Sequence, residues 1–288
     1  MTISVYTDAE QRKLSRIFPD LLRSRHLLLD LVSKELRARY RNAAMGFVWA
    51  ILQPVLMMSI LTVIFGYIAF GLPQRGTGKS YAIFLLCGLV PWQFFSSALV
   101  LGTQSLLANG TLIKKVYFPR EVIPIAAVLN ALVNALIGFA TLAIVMVVLE
   151  GVDSISIHWL YVPAILGIQV VLVMGLAMML SAWNVYYHDV GYMLEVALAF
   201  GFYASPIIYA LPNNMASLPV SPTVAQWLYR LYMLNPMASL ITLYRDAICK
   251  SVIPDIGLFA WAAFLAIVIF LLGLYIFRRH APTFADHL

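Results

Sequence analysis

SYAIFLLCGLVPWQFFSSALVLGTQSLLANGTLI, residues 80–113, contains no Asp, Glu, Lys or Arg and lies between Lys79 and Lys114. An α-helix needs ~20 apolar residues to cross ~30 Å of hydrocarbon, so this stretch is long enough to span a membrane. Five further stretches share the property: Arg41 to Arg75, Glu121 to Glu150, Asp153 to Asp189, Glu195 to Arg230 and Asp255 to Arg278. A β-barrel would show ~10-residue segments of alternating polarity. These runs are continuous, and a helix satisfies its own backbone hydrogen bonds in lipid. The sequence therefore predicts an all-α polytopic membrane protein with spans at roughly 47–70, 81–105, 122–149, 159–182, 192–210 and 256–277. They make up a six-helix transmembrane domain over 47–277, preceded by a cytoplasmic tail with an amphipathic interface helix (1–46) and followed by a cytoplasmic C-terminal tail (278–288).

Composition agrees. The 288 residues are 62% hydrophobic and 11% charged, against about 25% charged in an ordinary soluble domain. That excludes a soluble nucleic-acid enzyme, a secreted disulfide scaffold and a disordered tail. The first 20 residues carry Asp8, Glu10, Arg12, Lys13 and Arg16 without an apolar core, so no cleavable leader is expected. With six spans both termini share a side. That side collects 14 of the 19 Lys and Arg residues: nine between Arg12 and Arg41, then Lys114, Lys115, Arg120, Arg278 and Arg279. The positive-inside rule makes it cytoplasmic. Cys87 falls in the second span and Cys249 in an outer segment, which predicts no disulfide framework.

Outside the spans, residues 20–41 place Leu28, Val32, Leu36 and Tyr40 at four-residue spacing, with Leu21 and Leu29 beside them. Asp20 is placed to cap this basic amphipathic helix. It serves either as a positive-inside anchor or as support for a cytoplasmic partner. NGTLIKKVYFPREVIP, residues 109–124, mixes Lys114, Lys115, Arg120 and Glu121 with Val116, Tyr117 and Phe118, and Pro119 and Pro124 fix the chain. An aromatic anchor with a charged rim suits a docking surface; a basic cluster touching lipid phosphates is the other reading. The turn at 184–191 holds His188 beside Asp189, read as solvated hydrogen-bonding residues.

The outer segment 211–255 begins with Pro212, Pro219 and Pro222 and is expected to be irregular there. Asn235-Pro236 then gives a cap followed by proline at the first helical position, which predicts a helix from Pro236 to about Lys250. That helix is too short to span and reads as re-entrant or interfacial. Trp227, Tyr229, Tyr232 and Tyr244 suit a membrane–water belt or a gate. Gly78-Lys79-Ser80 has Pro73 where a phosphate-binding loop needs glycine.

Glu121, Glu150, Glu195 and His158 all fall near span ends, whereas an ion-driven pump needs ionisable groups at mid-membrane. No metal-ligand spacing or catalytic triad is visible, so energy is expected from a separate ATPase.

Several stretches together resemble one family: ELRARYRNAAMGFVWAILQPVLMM (35–58), FLLCGLVPWQFFSSAL (84–99), LIKKVYFPREVIPI (112–125), LSAWNVYYHDVGYMLEV (180–196), FYASPIIY (202–209) and LNPMASLITLYRDAI (234–248). The chain resembles the membrane subunit of type-2 ABC exporters, in the branch that exports O-antigen, capsule and teichoic acid. The resemblance implies a homodimer in the bacterial cytoplasmic membrane with two ATP-binding subunits, which hold the ATP and Mg. No cofactor on this chain and no nucleic acid are expected. It implies a polyprenyl-pyrophosphate-linked glycan passing between the two subunits. It assigns ATPase docking to Lys114, Lys115, Tyr117, Phe118, Pro119, Arg120 and Glu121, with Arg37, His188 and Asp189. Channel or gate candidates are Trp92, Phe95, Tyr203, Tyr209, Trp227, Tyr232, Asn235, Pro236, Tyr244 and Arg245. His188 stands where such sequences commonly carry arginine. Export of a drug or lipid, or a membrane-embedded transferase, are the alternative functions.

Overall fold

A computed structural model describes residues 25–40, 48–69, 80–116, 118–209 and 221–288, and every regular element among them is helical. Asp20, Leu21 and Tyr117 lie outside the described residues, as do residues 211–220. Five helical segments are long and apolar enough to cross a membrane: Val48–Phe65, Tyr81–Ala108, Val122–Glu150, Ile157–Tyr186 and Ile256–His287.

The hub is α3 (Tyr81–Ala108), buried along most of its length. Around it pack α2 (Val48–Leu61), α5 (Val122–Glu150) and α6 (Val162–Tyr186). Helix α2 contains Pro54 and widens at Thr62–Ala69 into π-helical turns. Its lipid side is open, with Val48, Ile51, Leu56, Ile60 and Val63 exposed. Short α4 (Gly110–Lys115) joins α3 to α5. At the opposite end of that pair, the Ser80 amide donates to Glu150 Oε1 at 2.7 Å. A carboxylate there complements the positive end of α3 and ties the two helices where they leave the membrane.

The stretch expected to span 192–210 forms α7 (Val190–Tyr203), only 14 residues or ~21 Å long. Turns then occupy Ala204–Ile207. Pro206 explains the stop, since it lacks an amide proton and disfavours helical backbone at Ser205. Two shorter helices follow the undescribed segment, α8 (Pro222–Tyr232) and α9 (Pro236–Ile248). The Asn235 side chain accepts from the Met237 amide at 3.0 Å, as the Asn-Pro pair predicts. Helix α9 is almost wholly buried, so protein rather than headgroups surrounds it.

The basic amphipathic stretch is helical over Arg25–Tyr40 (α1) and lies on the start of α5. Leu31 is its buried centre, against Val122 and Ala126, with Leu27, Leu28 and Val32 alongside. The four-residue spacing picked out Leu28 and Val32, which flank the buried Leu31, while Leu29 points outward. Glu35 Oε2 accepts from Asn130 Nδ2 at 2.7 Å, adding a polar tie to α5.

Helix α10 (Ile256–His280) packs along α6. Their backbones touch at one point. A Cβ placed on Gly273 would lie 2.0 Å from the Gly175 carbonyl oxygen, and one on Gly175 would lie 2.5 Å from Phe270 Cα. No side-chain rotation relieves a clash with backbone. Where lipid weakens the hydrophobic drive between helices, such close approach supplies the dispersion that joins them. Gly273→Ala is expected to lower the melting temperature of the detergent-purified protein, because parting the helices costs about 3 kcal/mol. Gly167→Ala, in the same α6 with open space at its Cβ, is the control and is expected to be neutral or stabilising. Equal melting of the two variants would refute the contact's role.

Candidate functional site

Two clusters concentrate the polar side chains, one at each end of the helical bundle. At the basic end, α4 presents Lys114, Lys115 and Val116 outward while Ile113 is buried beneath. His188 and Asp189 are exposed on the turn between α6 and α7, and Arg37 is exposed on α1. These polar groups are available to a partner. Phe118 is a wedge instead, packed between the α1 contact and the cluster around Ile113, Ile123 and Phe277.

Arg120 and Glu121 also turn inward. Glu121 Oε1 accepts from Arg278 Nε at 3.0 Å, and Arg120 Nη1 donates to the Ala281 carbonyl. Arg278 lies at the end of α10, so the first bond ties the start of α5 to α10, and the second holds the C-terminal tail, Ala281–Leu288. There Phe284 is fully buried against Phe277, with ring centroids 5.2 Å apart. Tyr186 at the end of α6 lies within 5.1 Å of the His280 ring and 4.8 Å of the His287 ring. Its hydroxyl donates to the His280 carbonyl at 3.3 Å and bonds the Thr283 hydroxyl. Leu288 reaches α4 at Gly110. The basic end is therefore one braced platform built from α4, the tail and the ends of α6 and α10. No role for the tail was legible in the sequence, because its contribution is tertiary; the burial-prone Phe284 was the one available signal.

At the opposite end the organiser is Arg245 of α9, 6% exposed. Its Nη2 donates to the Ile207 carbonyl at 2.8 Å and its Nη1 to the Tyr209 carbonyl at 3.3 Å. The guanidinium carbon lies 3.5 Å from the Phe84 ring centroid. Burial lowers its pKa to about 10, so it remains a cation at neutral pH. Tyr81 donates to the Ile208 carbonyl at 2.8 Å, and Asn235 Nδ2 reaches the Ala204 carbonyl and Ser205 hydroxyl at 3.3 and 3.2 Å. The turn after α7 thus has its exposed carbonyls collected one by one from α3, α9 and the α9 cap. Asp246 bonds Lys250 at 2.8 Å.

The other gate candidates sort by exposure. Tyr203 and Trp227 are 68% and 65% exposed. Tyr209 and Tyr232 share a hydroxyl–hydroxyl bond of 2.7 Å. Burial, then that bond, pushes the Tyr232 phenol far above its ordinary pKa, so it stays protonated. Tyr244 is fully buried and donates to Gln169 Oε1 at 3.0 Å, while Gln169 Nε2 donates to the Pro91 carbonyl at 2.8 Å. Trp92 is buried between Phe95 and Phe202, with Gly201 under its ring. Pro236 begins α9. Cys87 and Cys249, the free thiols expected to lie apart, adjoin within hydrogen-bond reach beside Arg245. Sequence spacing carries no sign of that meeting. No group of three His, Cys, Asp or Glu able to hold a metal occurs among the described residues.

The sequence profile described as ABC-2 type transporter matches residues 26–249. The chain is 30% identical over 266 residues to an O-antigen export system permease protein RfbA of Klebsiella pneumoniae, covering 90% of this chain and 94% of that one. It is 28% identical to the protein of that name from Myxococcus xanthus, covering 94% and 98% of the two chains. It is 26% identical to a polysialic acid transport protein KpsM of Escherichia coli, covering 86% and 91%.

Two outcomes follow from the geometry. Phe284→Ala is expected to weaken the platform by about 3 kcal/mol, which raises amide hydrogen exchange over residues 110–121 roughly a hundredfold. Unchanged exchange there would mean that the tail does not brace α4. Arg245→Lys removes the forked reach to two carbonyls and is expected to cost about 2 kcal/mol locally. Faster reaction of Cys87 and Cys249 with a thiol reagent in detergent is the readout, and wild-type protection in the variant would contradict it.

Proposed function

The chain belongs to the ABC-2 type transporter family, and from that premise we propose that it is the permease subunit of an ATP-driven polysaccharide exporter. The observation that carries the proposal is end-to-end similarity to O-antigen export permeases, over 90% of this chain and 94% of the relative's. The capsule-type relative supports the same class of cargo from a second name.

On this reading two copies of the chain form a pore in the bacterial inner membrane. Two ATP-binding subunits sit on the cytoplasmic side and hold the ATP and Mg. The cargo is a lipid-linked glycan of O-antigen or capsule type on a polyprenyl pyrophosphate. Both termini are cytoplasmic, which puts the braced basic platform beside the ATPase and the Arg245 cluster at the outer mouth. The chain itself catalyses no reaction. It converts closure of the ATP-binding subunits into movement of its helices.

The platform's exposed lysines are the contacts best suited to an acidic partner surface, because the inward-turned Arg120 and Glu121 are already engaged. Charges at an interface rim act on association more than on fold. Deletion of the gene is expected to remove the surface polysaccharide and leave lipid-linked glycan inside the cell. Unchanged surface polysaccharide, with no internal glycan, would overturn the function. Lys114→Glu with Lys115→Glu is expected to weaken binding of the ATP-binding subunit about tenfold, more at low salt, with the permease still folded. Wild-type affinity in the double variant, measured on reconstituted complexes, would remove the lysines from the docking face.

A further inference from the structure

Between α2, α3 and α5 lies a cavity of about 590 Å³. Its polar lining consists of Gln53, Gln93, Ser96, Ser97 and Asn134, and Trp49 stands at its side, half exposed. The α3 side of the cavity lies near mid-helix, and its α2 side in the first two turns of that helix. Gln93 lies ~18 Å along α3 from Tyr81 and ~22 Å from Ala108, close to the middle of the span. The Gln53 and Gln93 side-chain amides make no hydrogen bond among the described residues. Ser96 and Ser97 are bonded only back into their own helix, to the Gln93 and Phe94 carbonyls at 3.2 and 3.3 Å.

An amide with no partner in hydrocarbon costs several kcal/mol. Gln53 is exposed on the open side of the cavity and Gln93 is half-buried, so both amides are available to a polar occupant there. The volume admits many waters or a sugar unit. Among the described residues the lining has no Asp, Glu, Lys, Arg or His. What it offers is neutral: carboxamides that both donate and accept, hydroxyls that do the same, and an indole face. Adjacent hydroxyls on a pyranose ring present the same paired donor and acceptor, and the ring's apolar face stacks on an aromatic.

We propose that this cavity is a hydrated binding subsite for the neutral, hydroxyl-rich sugars of the cargo, read by the Gln53 and Gln93 amides with Trp49 as a stacking wall. This rests on the polysaccharide reading above. It deepens that reading by naming which groups of the glycan are recognised, and it moves the polar contact away from the buried aromatics Trp92 and Tyr244.

The test uses the complete transporter in membrane vesicles, with lipid-linked polysaccharide extracted from cells lacking the permease as the probe. Ser97→Cys is expected to react with a hydrophilic thiosulfonate roughly tenfold faster than Leu136→Cys, an outward apolar position on α5, because the thiol must meet water to ionise. Buried Cys87 and Cys249 give the wild-type baseline. Added polysaccharide is expected to slow the Ser97→Cys reaction. Gln53→Leu with Gln93→Leu is expected to cut polysaccharide export roughly tenfold, the loss of two net hydrogen bonds. Its melting temperature is expected not to fall, because the two amides bond no other part of the protein among the described residues and so hold none of the fold together. A merely structural pair would lower the melting temperature along with export. An unreactive Ser97→Cys, polysaccharide without effect on it, or wild-type export in the double variant would each overturn the subsite. So would dissociation of the variant into single subunits, which would mark the cavity as a face between copies. A wild-type transporter that moves no polysaccharide at all would instead strike the function proposed above.

Discussion

Hydrocarbon offers no hydrogen-bond partner, and the whole architecture follows from satisfying polar groups without one. Regular helices do this for their own backbone. The difficulty arises where a helix stops inside the protein, and here α7 stops after 14 residues. The carbonyls of the turn behind it are therefore collected by Arg245, Tyr81 and Asn235 from three different elements. A buried cation is the natural choice for such a place. A guanidinium supplies several donors in one plane, and the Phe84 ring face receives its charge where water does not. Gln169 solves a smaller version of the same problem: it takes the Tyr244 hydroxyl on one side and gives its amide to the Pro91 carbonyl on the other.

The basic end is built on different physics. It meets water, so its charged groups need no burial, and its stability comes from apolar side chains under a charged rim. Ile113, Phe277 and Phe284 form that floor. The Glu121–Arg278 pair is partly screened by solvent, and pairs of this kind contribute little by themselves. Its use is geometric. It fixes the start of α5 against the end of α10, so that α4 is held at both of its ends while its lysines stay free to meet another surface.

Much of this was legible in the sequence. Five of the charge-free runs hold the helices long and apolar enough to cross a membrane, because a charge is expensive in lipid, while the run at 192–210 forms the shorter α7. The Asn235-Pro236 start was legible because a cap is local chemistry. What was hidden is what depends on contact between distant segments. Arg120 and Glu121 read as docking residues because they are charged and lie in a loop, yet they bond Ala281 in the tail and Arg278 at the end of α10, about 160 residues away. Tyr244 and Trp92 looked like path-lining aromatics, and the fold buries them. Gly175 and Gly273 are two glycines among 16, and only the packed helices single them out. Pro206 was visible, but its effect, a helix that ends short, depends on Arg245 being present to make the early stop tolerable.

The two ends are joined by a single stiff part. Helices α6 and α10 touch through backbone at Gly175 and Gly273, with no side chain between them to flex. Interfaces of that kind do not deform gradually, so the pair moves as a body. At the basic end the body carries Tyr186 and Phe277, which grip the tail. Toward the other end it carries Gln169, bonded to Tyr244 of α9, and Trp261, whose indole donates to the Met233 carbonyl between α8 and α9 at 3.1 Å. The tail and α9 are thus both fastened to this pair, and Arg245 of α9 in turn holds the carbonyls of the turn after α7.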